Sequence, residues 1–210
     1  MIEKELRQQI VLHGKSLFDR GYTCGGSGNI SVRLNDGLLI SPTNSCLGRL
    51  DAERLSKMDW NGNPISGDKP SKEWVLHLAV YNSRPEDRAV VHLHSPSAVA
   101  VSCLENIDPQ NVLPPITPYF VMRIGRLPLI PYHPPGDPAL AKEVGSLVVE
   151  HRAVLLAHHG TVVSGKDIDM AVYSAEELEE TAKIYIMLQN CKYRALNNEE
   201  IMELQRRFGK

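Results

Sequence analysis

The chain is expected to fold as one α/β domain spanning residues 1–210. Three observations predict it. Segments with helical periodicity alternate with short β-branched runs along all 210 residues, the pattern of a sheet covered by helices. The length suits one ordinary domain, large enough to bury its own core without disulfides or a structural metal. No internal repeat or low-complexity linker divides the chain.

The elements follow in order. Ile2, Leu6, Ile10 and Leu17 recur at helical spacing, so a first helix is expected over 2–18, with Gly21 where it stops. Cys24-Gly25-Gly26-Ser27-Gly28-Asn29 is a glycine-rich turn into the alternating segment Ile30-Ser31-Val32-Arg33-Leu34, and Asn35-Asp36-Gly37 makes a tight hairpin into Leu38-Leu39-Ile40-Ser41. A short helix is expected over 51–56, and Trp60-Asn61-Gly62-Asn63-Pro64 turns between two short strands. Trp74, Leu78 and Tyr81, with Glu73 and His77, mark a helix begun by Ser71 as its cap. Residues 88–94 are β-branched and apolar, hence a buried strand, and 97–104 return to helix. The proline-rich segment 109–138 gives no pattern. Residues 139–149 are helical by period and 153–157 form a strand. Asp167 opens a long final helix through Ile168, Val172, Ala175, Leu178, Ala182 and Tyr185, with Glu176, Glu177, Glu179 and Glu180 on a face expected to be solvated.

Composition excludes several function classes. Lys plus Arg (23) nearly balances Asp plus Glu (25), and no basic block supplies the footprint that a nucleic-acid backbone requires. The amino terminus lacks an unbroken apolar segment, and no stretch approaches the length that spans a bilayer; a cytoplasmic protein is expected. Cys24, Cys46, Cys103 and Cys191 are scattered with no C-x-x-C pair, so isolated reduced thiols are expected rather than a thiolate zinc site.

The stretch Val90-Val91-His92-Leu93-His94-Ser95-Pro96 ends an apolar run in two histidines one residue apart. Side chains alternate faces along a strand, so His92 and His94 point the same way with Cα atoms roughly 6.5 to 7 Å apart, within reach of one metal. Leu155-Leu156-Ala157-His158-His159-Gly160 ends a second apolar run in the same fashion and offers one more imidazole, either His158 or His159. Three neutral imidazoles around zinc leave a fourth position open, the arrangement of a catalytic rather than a structural site.

A second constellation suits an anion. Gly25-Gly26-Ser27-Gly28-Asn29 lets backbone N–H groups approach closely, Pro42-Thr43-Asn44-Ser45 adds hydroxyl and amide donors, and Ser71 with Lys72 stands at a helix amino end. The glycine turn matches neither the P-loop nor G-x-G-x-x-G. Glu73 is then either a first-turn glutamate complementing the helix dipole or an acid/base beside the anion.

Gly28-Asn29-Ile30-Ser31-Val32-Arg33, Ser41-Pro42-Thr43, Pro70-Ser71-Lys72-Glu73-Trp74, Val91-His92-Leu93-His94 and His158-His159-Gly160, in this order and spacing, resemble the class II aldolase and adducin head family over roughly residues 5–190. The resemblance implies a three-layer α/β/α sandwich around a mainly antiparallel central sheet, and a homotetramer with active sites at subunit interfaces. It implies zinc, one per subunit, on His92, His94 and His159, with manganese as the alternative ion, and Glu73 as acid/base. It implies substrate phosphate on Asn29, Thr43 and Ser71 with backbone help from Gly28, and leaves His158 a structural role.

Three positions depart from the sugar-phosphate aldolase pattern: Asn44 stands for a glycine, Lys72 for a second serine and Gly26 for a threonine. They keep an anion site but change its donors and add a positive charge. Thr117-Pro118-Tyr119-Phe120, Gly125-Arg126-Leu127-Pro128 and Pro131-Tyr132-His133-Pro134-Pro135-Gly136-Asp137 look like the branch that decarboxylates 3-oxo-tetronate 4-phosphates. The implied reaction gives dihydroxyacetone phosphate and carbon dioxide, with Lys72 or Arg126 holding the substrate carboxylate or phosphate. Tyr119 either completes the site from a neighbouring subunit or is a buried aromatic of its loop. Competing readings are an aldolase of the fuculose 1-phosphate type and a phosphopentose 4-epimerase. A non-catalytic adducin-like binding module has no need of three histidines and Glu73.

Overall fold

The computed structural model describes residues 2–134 and 136–208. Pro135, within the loop 131–137 singled out above, lies outside the described residues, as do Met1, Gly209 and Lys210. Among the described residues there are seven α-helices: α1 (Glu3–Asp19), α2 (Trp74–Ser83), α3 (Pro96–Ser102), α4 (Pro118–Arg123), α5 (Pro138–Leu147), α6 (Ile168–Leu188) and α7 (Asn198–Phe208). The strands are β1 (Asn29–Arg33), β2 (Gly37–Ile40), β3 (Ser56–Asp59), β4 (Pro64–Ser66), β5 (Ala89–Leu93), β6 (Leu129–Ile130), β7 (Ala153–Leu156) and β8 (Gly160–Gly165). They form one sheet in the order β4-β3-β2-β1-β5-β8-β7-β6. Neighbours run antiparallel except β6 and β7, which are parallel.

Strand alternation sorts the core into two layers. Ile30, Val91 and Leu155 face one way and meet Ile10 and Leu17 of α1, Val101 of α3 and Leu178 of α6. Val90, Val154 and Val162 face the other way and meet Leu76 and Val80 of α2 with Leu140 and Val144 of α5. The sheet therefore lies between two helical layers, as the family resemblance implies. On the α2 side, at the centre of the sheet, the alternation places Asn29, Ser31 and His92, all buried polar groups that require partners.

Several elements differ from the sequence expectation. Over 51–56 only a single 3-10 turn forms, Ala52–Arg54, before β3 begins at Ser56. α2 is capped at Glu73 rather than at Ser71; the Ser71 hydroxyl instead accepts the Glu73 N–H at 3.3 Å. The segment 109–138 holds α4 and β6, whose shortness left no period to read, and β8 and α7 were not anticipated. The α6 glutamates are only in part a solvated face: Glu180 is exposed, but all four are engaged. Glu179 is buried and accepts the Ser97 and Ala98 N–H groups at 2.7 and 2.8 Å, capping α3. Glu180 accepts from the Tyr22 hydroxyl at 2.9 Å, Glu177 from the Thr117 hydroxyl at 3.0 Å, and Glu176 pairs with Arg20. The cysteines are free thiols, as expected.

The turn from β7 into β8 is built on Gly160. Its φ is 154°, and a Cβ there would lie 2.1 Å from the Leu93 carbonyl oxygen. Only glycine allows β8 to start so close to the end of β5. Gly160→Ala is expected to cost at least about 2 kcal/mol, read as a lower midpoint in urea; an unchanged midpoint would show that the turn tolerates a side chain.

Candidate active site

β5 ends at Leu93, and Pro96 starts α3 at the helical position where a missing N–H costs nothing. His92 and His94 therefore lie at the carboxyl end of this central strand, beside the β7–β8 turn. The register pairs Asn29 with His92 across β1 and β5, and Leu93 with Thr161 across β5 and β8. His158 and His159 lie in the turn after β7 rather than on the strand, with His158 at φ 57°. That kink, not strand alternation, decides between them. His159 joins His92 and His94. His158 is exposed on the rim of the same cavity, its ring 6.3 Å from that of Tyr132.

The three rings form a near-regular triangle, with centroids 4.8, 4.9 and 4.6 Å apart and planes steeply inclined. Glu73, at the start of α2, closes the group: its Oε2 lies 3.3 Å from His92 Nε2 and its Oε1 3.1 Å from His159 Nε2. The four donor atoms fall within 4.8 Å of one another. Nitrogens shared by one tetrahedral zinc would stand roughly 3.4 Å apart; the Nε2 atoms of His92 and His94 are 2.9 Å apart, so a small outward shift admits an ion. His92 Nδ1 donates to the Thr161 carbonyl at 2.8 Å, which fixes Nε2 as the inward nitrogen. The donor set thus fits a divalent ion with further coordination positions open to a ligand.

Electrostatics agree with the geometry. Burial pushes the Glu73 carboxyl upward, but the charge on His92 and hydrogen bonds from His159, His92 and Asn29 win and hold it far below the usual carboxylate range. Burial opposes a charge on His92, yet Glu73 and the Thr161 carbonyl raise its pKa. Burial, then the neighbouring charges on His92 and His159, depress His94 to about 3, leaving it a neutral ligand at physiological pH.

A cavity of about 630 Å³ opens above this group. Gly28, Asn29, Thr43, Asn44, Ser71 and Lys72 line it together with Glu73, His94 and His159. Gly28, at φ 77°, brings the loop to 3.0 Å between its notional Cβ and the His92 carbonyl. Asn44 sits at φ 55°, a left-handed conformation that asparagine tolerates better than most side chains, so this position accepts a replacement for glycine. The Asn29 amide is engaged: Nδ2 donates to Glu73 Oε2 at 2.8 Å and Oδ1 meets His77. Tyr119 is not a buried aromatic; it is 59% exposed and lines a separate cavity with Arg20, Arg123 and Tyr173. Arg126 is exposed. The sequence marks His77 only as a helix residue; its spacing of four from Glu73 is the signal that places it beside the site.

Comparison with known proteins places these features in context. The family model described as Class II Aldolase and Adducin N-terminal domain matches residues 8–186. A 3-oxo-tetronate 4-phosphate decarboxylase from Haemophilus influenzae is 50% identical over 208 residues, covering 99% of this chain and 98% of the relative. An L-fuculose phosphate aldolase from the same organism is 37% identical over 190 residues, 90% of this chain and 85% of its own length. The crystal structure of YgbL from Escherichia coli superposes with a TM-score of 0.95 at 47% identity, covering 98% of this chain and 100% of that one.

Uptake of a divalent ion by the cluster must displace the proton that Glu73 stabilises on His92. Because that pKa is raised, the proton is held below the folded pKa and lost above it, so apparent ion affinity should climb with pH and level off once His92 is neutral, by up to about tenfold per pH unit for each proton displaced. Calorimetric titration with Zn²⁺ in buffers of different ionisation enthalpy should report proton release near pH 7. Buffer-independent heats would contradict the pairing.

Proposed function

This chain belongs to the class II aldolase and adducin N-terminal domain family, and from that premise we propose that it is a metal-dependent carboxy-lyase converting a 3-oxo-tetronate 4-phosphate into dihydroxyacetone phosphate and carbon dioxide. The observation that supports it most is the open group of three imidazoles and Glu73 beneath a cavity lined by anion donors. Near-full-length identity to a 3-oxo-tetronate 4-phosphate decarboxylase exceeds that to an L-fuculose phosphate aldolase, which favours the decarboxylase.

His92, His94 and His159 are the proposed ligands, and zinc the proposed ion, with manganese as the alternative that imidazole donors also accept. When bound, the ion supplies Lewis acidity that stabilises the negative charge left on the substrate's oxygens as the carbon–carbon bond breaks. The remaining steps belong to the chain. Gly28, Asn29, Thr43, Asn44 and Ser71 bind the phosphate; Lys72, at the cavity wall, neutralises an anionic end of the substrate. Carbon dioxide leaves with its bond to C2 cleaved, and the electron pair stays on the substrate as an enediolate. Glu73 begins as a carboxylate and has no proton of its own to give, so it orients a water that gives C2 its proton, and a proton from solvent neutralises the hydroxide left behind.

The chain is also proposed to work as a homotetramer with its sites at subunit interfaces, Tyr119 reaching a neighbour's site; its exposure beside Tyr173 and Arg123 supports this. A cytoplasmic location is supported by the exposed free thiols of Cys24, Cys103 and Cys191. Among the described residues no helix is long and apolar enough to cross a membrane.

The test is an assay of the zinc-loaded enzyme with 3-oxo-tetronate 4-phosphates of both C2 configurations beside fuculose 1-phosphate. Carbon dioxide release from one oxo acid is expected; aldehyde formation from fuculose 1-phosphate at comparable kcat/KM would favour the aldolase instead. Glu73→Gln should lower kcat by about 10² to 10⁴ while the ion stays bound, and His94→Ala should lose ion and turnover together. Lys72→Met should reduce kcat/KM by about tenfold or more, the scale of one charge-assisted contact. Unchanged turnover and affinity would remove Lys72 from substrate binding.

A further inference from the structure

Glu73, His77 and Tyr81 lie four residues apart and stack along one side of α2, while Asn29 and Ser31 share one face of β1. Four helical residues advance about 6 Å and two strand residues about 6.6 to 6.8 Å, so the two rows interleave. The contacts form a continuous line. Tyr81 Oη meets Ser31 Oγ at 2.7 Å, Ser31 Oγ meets His77 Nδ1 at 2.7 Å, His77 Nε2 meets Asn29 Oδ1, and Asn29 Nδ2 reaches Glu73 Oε2 at 2.8 Å. Ser31 and His77 are fully buried, and Tyr81 and Asn29 are nearly so. No family role absorbs His77, Ser31 or Tyr81 in the proposed reaction.

The charge on Glu73 fixes the direction of every bond in this line. A carboxylate accepts only, so Asn29 must turn its NH₂ toward Glu73 and its carbonyl toward His77. His77 must then carry its proton on Nε2 to donate to that carbonyl, leaving Nδ1 to accept from the Ser31 hydroxyl. Ser31, having given its proton, accepts from Tyr81. Reversing any one member sets two acceptors or two donors face to face in a buried site, which costs more than the bond returns. Burial, reinforced by the charge on His92, also depresses His77 to about 3, in keeping with a neutral ring.

We infer that His77 is a positioning residue: held as its Nε2–H tautomer by Ser31 and Tyr81, it locks the Asn29 amide so that Glu73 stands at a fixed angle to the reacting carbon. The Asn29 amide interrupts any proton relay, so the line orients and does not conduct. This rests on Glu73 as the proposed acid/base, and the experiment separates the two ideas. Long-range ¹H–¹⁵N spectra of protein labelled at its imidazole nitrogens should show His77 as the Nε2–H tautomer, whether or not any substrate is turned over; an Nδ1–H tautomer would overturn the positioning line. In the ion-loaded enzyme, His77→Leu should lower kcat by about tenfold or more with KM and ion content unchanged, and His77→Gln, whose amide can donate to Asn29, should recover most of that loss. Should His77→Leu fail to fold, Ser31→Ala should relax the tautomer preference and lower kcat in the same sense. A variant with an unchanged kcat, and only a lower melting temperature, would make His77 merely structural. An inactive wild-type chain with the Nε2–H tautomer in place would count against the proposed reaction alone.

Discussion

The partly buried carboxylate of Glu73 has to be compensated, and much of the centre of the molecule is arranged to do so. An ionised group taken out of water is tolerated only when it is paired and hydrogen-bonded. Here His92, His159 and Asn29 surround it within 3.3 Å. Two of these partners come from the central strands β1 and β5, whose register sets Asn29 opposite His92, and the third from a turn that exists because Gly160 allows it. The same imidazoles that neutralise the carboxylate are those whose inward nitrogens suit a cation. A divalent ion and a proton on His92 are therefore alternative ways of meeting one electrostatic demand.

Around that centre the cavity is lined by polar groups able to hold an anion and is closed below by the packed sheet. The departures from the aldolase pattern are consistent with this division. Asn44 keeps the left-handed backbone that a glycine would adopt and adds an amide at the rim. Lys72 puts a positive charge on the wall without joining the buried group around Glu73. A charge there suits the proposed substrate, which carries a carboxylate as well as a phosphate, and leaves the group of three imidazoles and Glu73 beneath unaltered. Aldol cleavage and decarboxylation both leave an electron pair on the same carbon, so one floor can serve either reaction while the walls choose.

Much of this was legible in the residues because the strongest signals are local. Two histidines at strand spacing predict a shared face, and glycine with asparagine before a strand predicts a close backbone approach. The three-layer arrangement was legible only through the family resemblance, since β5 and β7 are apolar on both faces. What stayed hidden depends on contacts distant in sequence. Glu179 reads as one more surface acid until α3 is seen to start against it. Spacing leaves His158 and His159 equivalent, so only the family resemblance favoured His159; the structure rests that choice on a turn whose dihedrals no periodicity encodes. Tyr119 was read in one alternative as a core aromatic of a proline-rich loop, whereas α4 carries it outward. The line from Tyr81 to Glu73 needs helix and strand to be side by side before His77 becomes more than a polar residue in a helix.

X-ray absorption at the metal edge of active, purified protein tests the central claim most directly. The account predicts one divalent ion per chain with three imidazole nitrogens at about 2.0 to 2.1 Å and oxygen in the remaining positions. Full activity without a stoichiometric ion, or a first shell containing sulfur or fewer than three imidazoles, would contradict it.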